Sequence, residues 1–346
     1  MLANSKRLKV FMNNKKIKLA DLAKLAGVST STVSRALNDN PLIKQETRDK
    51  LQQLAKKHNF SLNTAASRLR TQKTNVVAVI INLDEQTEQS ISDPFLLKVV
   101  SEINLALNQQ GLELLLSNSI MAQHDWANYF INGRRADGII VVGQGKDQRN
   151  IEAAAKAGIP LVVWGDPKTP SSYPIVGSDN YLGGMQATAH LIEHGAKNIV
   201  FLGDPEHGEI SERHRGYAAA LSTHKLEQHV VSIDITSGSA YQAVNHLLRE
   251  KGLYFDAIVA CSDMVALGAM KALKERYVSI PNDVALVGFD DIAMADISHP
   301  SLSTIKQNTQ LAASLIVKKL MQQFLGEKVE SQVIDIELIT RQSSKR

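Results

Sequence analysis

Short hydroxyl side chains and one arginine recur at helical spacing near the start of the chain. One face of a predicted helix carries only hydrogen-bonding groups, namely Thr30, Ser31, Ser34 and Arg35. The opposite face of this helix carries Val33 and Leu37, which we expect to be buried. Hydroxyl and guanidinium groups can hydrogen-bond to phosphate oxygens and to the edges of bases. The spacing therefore predicts a helix that contacts DNA.

A second helix precedes this one and ends at a glycine. Its apolar or small side chains recur at the spacing of one helix face, at Leu19, Leu22, Ala23 and Ala26. Gly27 can adopt the left-handed backbone that ends a helix, and Ser29 is a good N-cap for the next one. The two helices predict a helix-turn-helix, whose second helix lies in the major groove. A third helix is predicted over 45–58, burying Leu51, Leu54 and Ala55.

Charge is distributed unevenly along the 346 residues, although the net formal charge is only +4. Residues 1–75 hold sixteen basic and four acidic side chains, a charge of +12. The remaining residues hold twenty-three basic and thirty-one acidic side chains, a charge of −8. A basic tail exposed to solvent would also give this asymmetry. The helix-turn-helix within the basic segment favours a nucleic-acid-binding domain instead.

Composition excludes several classes of protein. The length is typical of two or three domains. A single cysteine, Cys261, excludes a disulfide framework within the chain, and zinc-finger spacing is absent. The basic N-terminus lacks the apolar core of a secretory signal, and no run of about eighteen apolar residues predicts a membrane span. We therefore expect a cytoplasmic protein.

Short apolar runs alternate with helical patterns from residue 75 onward, which predicts an α/β fold with parallel sheets covered on both faces. The predicted strands are 76–81, 112–116, 138–142, 161–164, 198–202, 230–235, 257–260 and 284–287. The predicted helices are 95–109, 148–157, 181–194, 240–250, 264–276 and 310–325. One large sheet is possible. Two doubly wound lobes are favoured, because Pro and Gly cluster over 165–177 and 300–307 reads as a return crossing. Ligands of such sheets bind at the carboxyl ends of the strands.

These patterns divide the chain into three parts. We predict a helix-turn-helix domain over 17–60, a hinge over 61–74 and an effector-binding core over 75–340. Within the core, the first lobe is expected to comprise about 75–164 plus 305–330. The second lobe is expected to comprise about 175–300 plus 331–340.

The motifs of the chain occur in a recognisable order. In the head they are residues 20–23, 26–29 and 31–38, and in the core 93–95, 136–140, 178–180, 262–263, 287–291 and 302–305. On these residues the chain resembles the lac repressor family of bacterial transcription regulators over essentially its whole length. The resemblance implies a helix-turn-helix head and a two-lobed core of periplasmic-binding-protein type. It also implies a transcriptional repressor that binds a pseudo-palindromic operator as a homodimer and is controlled by a small-molecule effector.

The resemblance also assigns roles in DNA binding. Thr30 and Ser31 occupy positions that usually read bases, and Arg35 is the stronger candidate for a base or phosphate contact. Four further residues are expected to position the head on phosphates, namely Ser29, Thr32, Ser34 and Asn38. Ser29 can act as a helix cap at the same time.

The predicted hinge departs from the family pattern. The usual proline is Leu62 here, and a usual arginine is Ser67. Asn63, Ala66 and Leu69 are retained. Leu69 matches the leucine that such hinges insert into the central minor-groove step of the operator, which kinks the DNA.

Six residues are expected to contact the effector. Arg213 and Asp290 match the family positions whose guanidinium and carboxylate hydrogen-bond to sugar hydroxyls. Ser262 lies where the family often has asparagine, and Asp166 follows Gly165, which replaces a polar residue of the cleft. Phe95 and Trp164 fit either stacking on a sugar face or packing in the core. For the neighbouring Asp263, we expect the N-cap of a helix that begins at 264.

Other chemistries have less support. The sequence from His190 to His194 matches a zinc-protease pattern, but Gly195 marks it as an ordinary helix end. Cys261 lies in an apolar strand, which is typical of a buried core residue. No G-x-G-x-x-G follows the first strand, which opposes a nicotinamide dehydrogenase. We therefore predict no enzyme, catalytic residue, metal or cofactor. A sugar-binding transport component stays the alternative.

The identity of the effector depends on the resemblance alone. Residues 178–184 and 202–204 resemble family members that sense glucosides such as maltose. The resemblance therefore suggests an α-glucoside. A leucine heptad tail is absent, which favours a dimer over a zipper-built tetramer.

Overall fold

The computed structural model describes residues 17–60, 73–83, 87–119 and 125–345. Contacts between Cα atoms divide the chain into two compact units, residues 1–73 and 74–346. The hinge residues Asn63, Ala66 and Leu69 lie outside the described residues. Among the helices that the model describes, none is long and apolar enough to cross a membrane.

Within residues 17–60, the described part of the first unit, the chain forms three helices, α1 (Leu19–Ala26), α2 (Thr30–Leu37) and α3 (Gln45–Lys57). Their small core consists of Leu22, Ala23, Val33, Ala36, Leu51 and Ala55, with Leu37 and Leu54 half-buried at its edge. Gly27 ends α1 with a φ of 71°, a left-handed conformation that glycine adopts without strain. The predicted helix-turn-helix thus forms around an apolar core of its own.

The first sheet of the second unit has six parallel strands in the order β11-β5-β4-β3-β1-β2. The strands are β1 (Val76–Ile81), β2 (Glu113–Asn118), β3 (Gly138–Val142), β4 (Leu161–Trp164), β5 (Ile175–Ser178) and β11 (Gln332–Ile334). Helices α4 (Pro94–Gln109) and α11 (Thr309–Phe324) share one core cluster with this sheet. Helix α5 (Arg149–Lys156) and a π-helix (Ala127–Asn132) share the other. The inner strands β1, β3, β4 and β5 are therefore buried on both faces, as their continuous apolar runs predict, whereas the edge strands β2 and β11 are partly exposed.

The second sheet has the order β12-β10-β9-β8-β6-β7, with only β12 antiparallel. Its strands are β6 (Ile199–Leu202), β7 (His229–Val231), β8 (Ala257–Ala260), β9 (Ala285–Asp290), β10 (Ser303–Gln307) and β12 (Ile336–Ile339). Its helices are α6 (Asn180–Glu193), α7 (Gly208–Thr223), α8 (Ser237–Lys251), α9 (Asp263–Glu275) and α10 (Ala293–Ile297). A 3₁₀-helix, Gln342–Ser344, follows the last strand.

The chain crosses between the two sheets three times. It crosses between β5 and α6, between β10 and α11, and between β11 and β12. Three segments consequently lie in a different lobe from the one expected. The strand 175–178 and the strand 332–334 belong to the first sheet, and 303–307 is a strand of the second sheet instead of a return crossing. Strands of three to five residues give too short a pattern to assign to a sheet.

Two glycines allow α6 and α7 to pack backbone against backbone. A Cβ atom at Gly184 would lie 1.9 Å from the carbonyl oxygen of Arg213, and one at Gly216 would lie 2.0 Å from that of Tyr181. Such distances are far inside van der Waals contact, so each position requires glycine. This close approach fixes the position of α7 and of the side chains it carries.

Candidate functional site

The start of α2 is held by a hydroxyl cap. Ser29 Oγ accepts a hydrogen bond from the backbone N–H of Thr32 at 3.1 Å. It also lies 2.8 Å from the hydroxyl oxygens of Ser31 and Thr32. The predicted capping role of Ser29 is confirmed, and the three hydroxyls form one polar cluster at the N-terminus of the helix. Helix N-termini carry partial positive charge and free N–H groups, which favour phosphate.

The other predicted DNA-contacting residues of the head lie on α2 or at its C-cap, Asn38. Thr30, Ser31, Arg35 and Asn38 are exposed, and Thr32 and Ser34 are half-buried. Asn38 Nδ2 donates a hydrogen bond to the backbone oxygen of Ser34 at 2.8 Å, which closes the end of the helix. The Arg35 side chain is thus available for a partner outside the protein. The face offers short hydrogen-bonding groups with one cation at its centre.

A cleft lies between the two lobes of the second unit, with a volume of about 640 Å³ that is partly open to solvent. In the first lobe, Asn82 and Gly143 follow β1 and β3, and Trp164 ends β4. In the second lobe, Ser262 follows β8 and Asp290 ends β9. The cleft therefore lies at the carboxyl ends of the strands of both sheets, where doubly wound folds bind ligands.

Arg213, on α7, is fixed by several contacts at this cleft. Its Nε donates to Asn180 Oδ1 at 2.9 Å, and its Nη1 donates to the backbone oxygen of Cys261. The guanidinium carbon lies 3.7 Å from the centre of the Phe289 ring, a cation–π contact. Two of the three nitrogens are thereby held by the protein. The third, Nη2, makes no hydrogen bond to another of the described residues.

Asp290 lies at the bottom of the cleft, where β9 ends. Its φ of 120° is rare for a residue other than glycine and indicates local backbone strain. Gln307 Nε2 donates to its Oδ1 at 2.7 Å. Burial raises the pKa of Asp290 well above its ordinary value, and the nearby Arg213 guanidinium partly opposes this effect. Arg213 and Asp290 are thus brought together at one cleft, as the sequence predicts.

Ser262, and not Asp263, caps the helix that follows β8. Ser262 Oγ accepts from the backbone N–H of Val265 at 3.2 Å. The prediction that Asp263 is the N-cap was wrong, because the helix begins one residue earlier. The fully buried Asp263 carboxylate instead accepts hydrogen bonds from the Thr304 hydroxyl and the backbone N–H of Ile292. Ser262 also lines the cleft, and its hydroxyl is an acceptor in the cap.

The buried acids of this lobe give a pH dependence. Burial raises the pKa of Asp263 from 3.8 to about 7. Between these values the folded protein holds a proton that the unfolded chain has lost, so this group's contribution to stability falls as the pH rises from 4 to 7. We expect the free energy of unfolding of the parent, relative to Asp263→Asn, to fall by up to about 1.4 kcal/mol per pH unit in that window.

Urea unfolding at pH 5, 6, 7 and 8 measures this difference. The exposed acid Glu330 supplies a matched control, and Glu330→Gln should differ from the parent by the same amount at each pH. A parent-to-Asp263→Asn difference that does not change between pH 5 and 8 would contradict the prediction.

Asp166 does not line the cleft, which corrects the expectation that it contacts the effector. The Gln144 side chain fills the space beside Gly165, where a Cβ would lie 2.6 Å from it, and Gln144 Oε1 accepts from the Asp166 N–H. The buried Asp166 carboxylate accepts from Asn180 Nδ2 at 2.9 Å. Because Asn180 in turn binds Arg213, Asp166 acts on the cleft indirectly, by positioning that arginine.

The two predicted aromatic residues meet at the cleft. The Phe95 and Trp164 rings lie 5.9 Å apart in an edge-to-face arrangement. Trp164 is also part of the core of the first lobe, and Phe95 is half-buried. Both residues also line the cleft, so packing in the core leaves part of each ring at the cleft surface.

Five polar lining residues were not assigned to the site by sequence reasoning, and Asp93, His207 and Glu209 are the acidic or histidine residues among them. Asp93 Oδ1 caps α4 by accepting from the N–H groups of Phe95 and Leu96, and burial raises the pKa of this carboxyl. His207 and Glu209 lie at the start of α7, with Glu209 one helical turn before Arg213. That spacing of four residues is the signal that could have found Glu209.

Comparison with known proteins identifies the family. A model of bacterial regulatory proteins of the lacI family matches residues 18–63, and a periplasmic binding protein-like domain matches residues 188–344. The HTH-type transcriptional regulator CelR of Thermobifida fusca is 30% identical over 93% of this chain and 96% of its own length. The chain belongs to the lacI family. It is a DNA-binding transcriptional regulator and not an enzyme.

Other lacI-family proteins match along the whole chain. The regulator MalR of Clostridium butyricum is 29% identical over 94% of this chain and 98% of its own. A complex of CelR with cellobiose has a TM-score of 0.71 and 28% identity, covering 94% of this chain and 99% of that one. A lac repressor dimer bound to operator and the anti-inducer ONPF has a TM-score of 0.83 at 24% identity, covering 95% and 99%.

Proposed function

We propose that this regulator binds a pseudo-palindromic operator as a homodimer in the cytoplasm and represses transcription under control of a sugar, an α-glucoside such as maltose. One observation carries the proposal. A cleft lined by both Arg213 and Asp290 lies at the carboxyl ends of both sheets of a chain that also has a helix-turn-helix. Effector and operator then bind at two separate sites whose affinities are linked.

The chemistry of the cleft supports a polyhydroxylated ligand. A sugar hydroxyl both donates and accepts hydrogen bonds, so it can satisfy the Arg213 guanidinium and the Asp290 carboxylate together. Phe95 and Trp164 supply an apolar surface beside these groups. The names of two relatives, and the cellobiose bound to CelR, agree with a sugar. The α-glucoside itself is favoured by the motifs at residues 178–184 and 202–204.

The DNA side of the proposal assigns two roles. The helix α2 and its caps contact bases and phosphates through Ser29, Thr30, Ser31, Thr32, Ser34, Arg35 and Asn38. Asn63, Ala66 and Leu69 form a hinge that orders on DNA, with Leu69 inserted into the minor groove at the operator centre.

The test combines calorimetry with gel retardation. The full-length protein is titrated with maltose, cellobiose and hypoxanthine, and its operator is obtained by selection from random palindromic DNA. The proposal expects maltose to bind and to change the fraction of operator retarded. If only cellobiose binds, the effector is a β-glucoside and not the proposed α-glucoside. If only hypoxanthine binds, a sugar effector is excluded. A protein that retards none of the selected DNA would exclude the regulator.

Arg35→Ala gives a direct prediction for the DNA-reading helix. Arg35 is the cation on the exposed face of α2, and its loss removes one base or phosphate contact from each protomer. We expect operator affinity to fall by about 1–3 kcal/mol per contact. Gel retardation at fixed salt measures the change. Lys24→Ala, an exposed cation on α1, is the matched control and should have a smaller effect; equal losses would contradict a special role for Arg35.

A further inference from the structure

Two buried polar atoms lie close together in the cleft, and neither has a hydrogen-bond partner among the described residues. They are Nδ1 of His207 and Oε2 of Glu209. The two atoms are 3.5 Å apart, which is longer than an N–H···O hydrogen bond. The Glu209 residue is only 8% exposed. Buried polar groups without partners are rare, and each calls for an explanation.

The position of the Glu209 side chain is fixed by the first lobe. Its other oxygen, Oε1, accepts a hydrogen bond from the backbone N–H of Gln144 at 3.0 Å. His207 precedes α7, and its backbone oxygen accepts from the N–H of Ser211 at 2.8 Å. Glu209 therefore cannot turn away to find another partner without breaking its contact with Gln144. The pair remains in the cleft as a preformed site.

The chemistry of the pair selects one kind of ligand group. An ionised carboxylate accepts hydrogen bonds and donates none, whereas a ring N–H of histidine donates. A hydroxyl group placed between them can donate to Glu209 and accept from His207 at once. A phosphate or carboxylate would instead be repelled by Glu209. We propose that a hydroxyl group of the effector bridges His207 Nδ1 and Glu209 Oε2, an inference that rests on the proposed function.

The location of the pair extends the effector site along α7. Glu209 and Arg213 are four residues apart and share one face of this helix. One sugar ring carries hydroxyl groups on several edges, so the same ring can contact Arg213 with one edge and Glu209 with another. The pair thus specifies an uncharged, polyhydroxylated ring and discriminates against its phosphorylated form.

Calorimetry on the full-length protein tests the bridge, with maltose and cellobiose as probes. Glu209→Ala removes the acceptor, and a hydrogen bond to a charged group is worth about ten- to hundredfold in affinity. Glu209→Gln keeps an acceptor oxygen and should lose less. Glu206→Gln removes an exposed carboxylate from the same loop, outside the cleft, and is the matched control. Thermal unfolding confirms that each variant is folded.

Monodeoxy derivatives of the tighter-binding sugar separate a direct contact from a structural role. One derivative should bind the parent at least about tenfold more weakly than the sugar itself, yet bind Glu209→Ala as well as the sugar does. If the affinity of every deoxy derivative falls by the same factor in the parent and in Glu209→Ala, the proposed hydroxyl bridge is excluded although the proposed function stands. A phosphorylated form of the sugar that binds tighter than the sugar also overturns it. If the parent binds neither sugar, the proposed sugar effector and the bridge fail together.

Discussion

Arg213→Ala is expected to abolish the effector response while leaving operator binding intact. The variant loses the guanidinium that is proposed to contact the effector and leaves Asp290 without its nearby cation. Loss of two charge-assisted hydrogen bonds corresponds to at least about 3 kcal/mol, or more than a hundredfold in effector affinity. Calorimetry gives the affinity, and gel retardation with and without maltose gives the response.

The variant should fold, because the pKa of Asp290 is already raised by burial and its carboxyl can take up a proton. Leaving a buried charge without a neighbouring counter-charge commonly costs about 3–5 kcal/mol, and protonation of Asp290 reduces that loss. Arg215→Ala, an exposed arginine on the same helix that pairs with Glu212, is the control and should behave as the parent does. An Arg213→Ala protein that still responds to maltose would remove Arg213 from the effector site.

Gly184→Ala is expected to destabilise the second lobe and to weaken effector binding together. The added methyl group would overlap the carbonyl oxygen of Arg213, since α6 and α7 touch there through their backbones. Separating two packed helices costs at least about 2 kcal/mol. The melting temperature should fall by about 5 °C or more. Because Arg213 itself moves, affinity for the effector should fall as well.

Thermal unfolding and calorimetry measure the two effects on one sample. Gln186→Ala changes a half-buried position on the same helix and should alter the melting temperature by less than about 2 °C. A Gly184→Ala protein with unchanged stability would show that α6 and α7 can separate at no cost.

The head could be predicted from its sequence because each local signal agrees with the others. Gly27 ends α1, Ser29 caps α2, and Val33 is buried between the helices, all as expected. Each of these features depends on residues within four positions of one another. Features that depend on such near neighbours can be predicted from a single sequence.

The core could be predicted less completely, and α7 shows why. This helix was not among the predicted ones, because its buried face includes Glu209, Arg213 and Gly216. Charged residues and glycine on the buried face interrupt the apolar periodicity from which a helix is predicted. Functional helices are where such a pattern is expected to fail, because the site needs polar groups to be buried.

The candidate site shows the same limit. Motif positions placed Arg213 and Asp290 together, but Asp166 depends on the Gln144 side chain, which occupies the space beside Gly165. In the pair of His207 and Glu209, the Glu209 side chain is held by a neighbour in the other lobe, the backbone N–H of Gln144. These contacts join residues 22 and 65 positions apart, and contacts at such separations have no local signature.

The three crossings between the sheets set the order in which the protein can be completed during translation. Helix α11 and strand β11 belong to the first sheet, yet the ribosome makes them after the second sheet has all strands but β12. A nascent chain can therefore have a folded DNA-binding head before its effector-binding core is complete and able to respond to the effector.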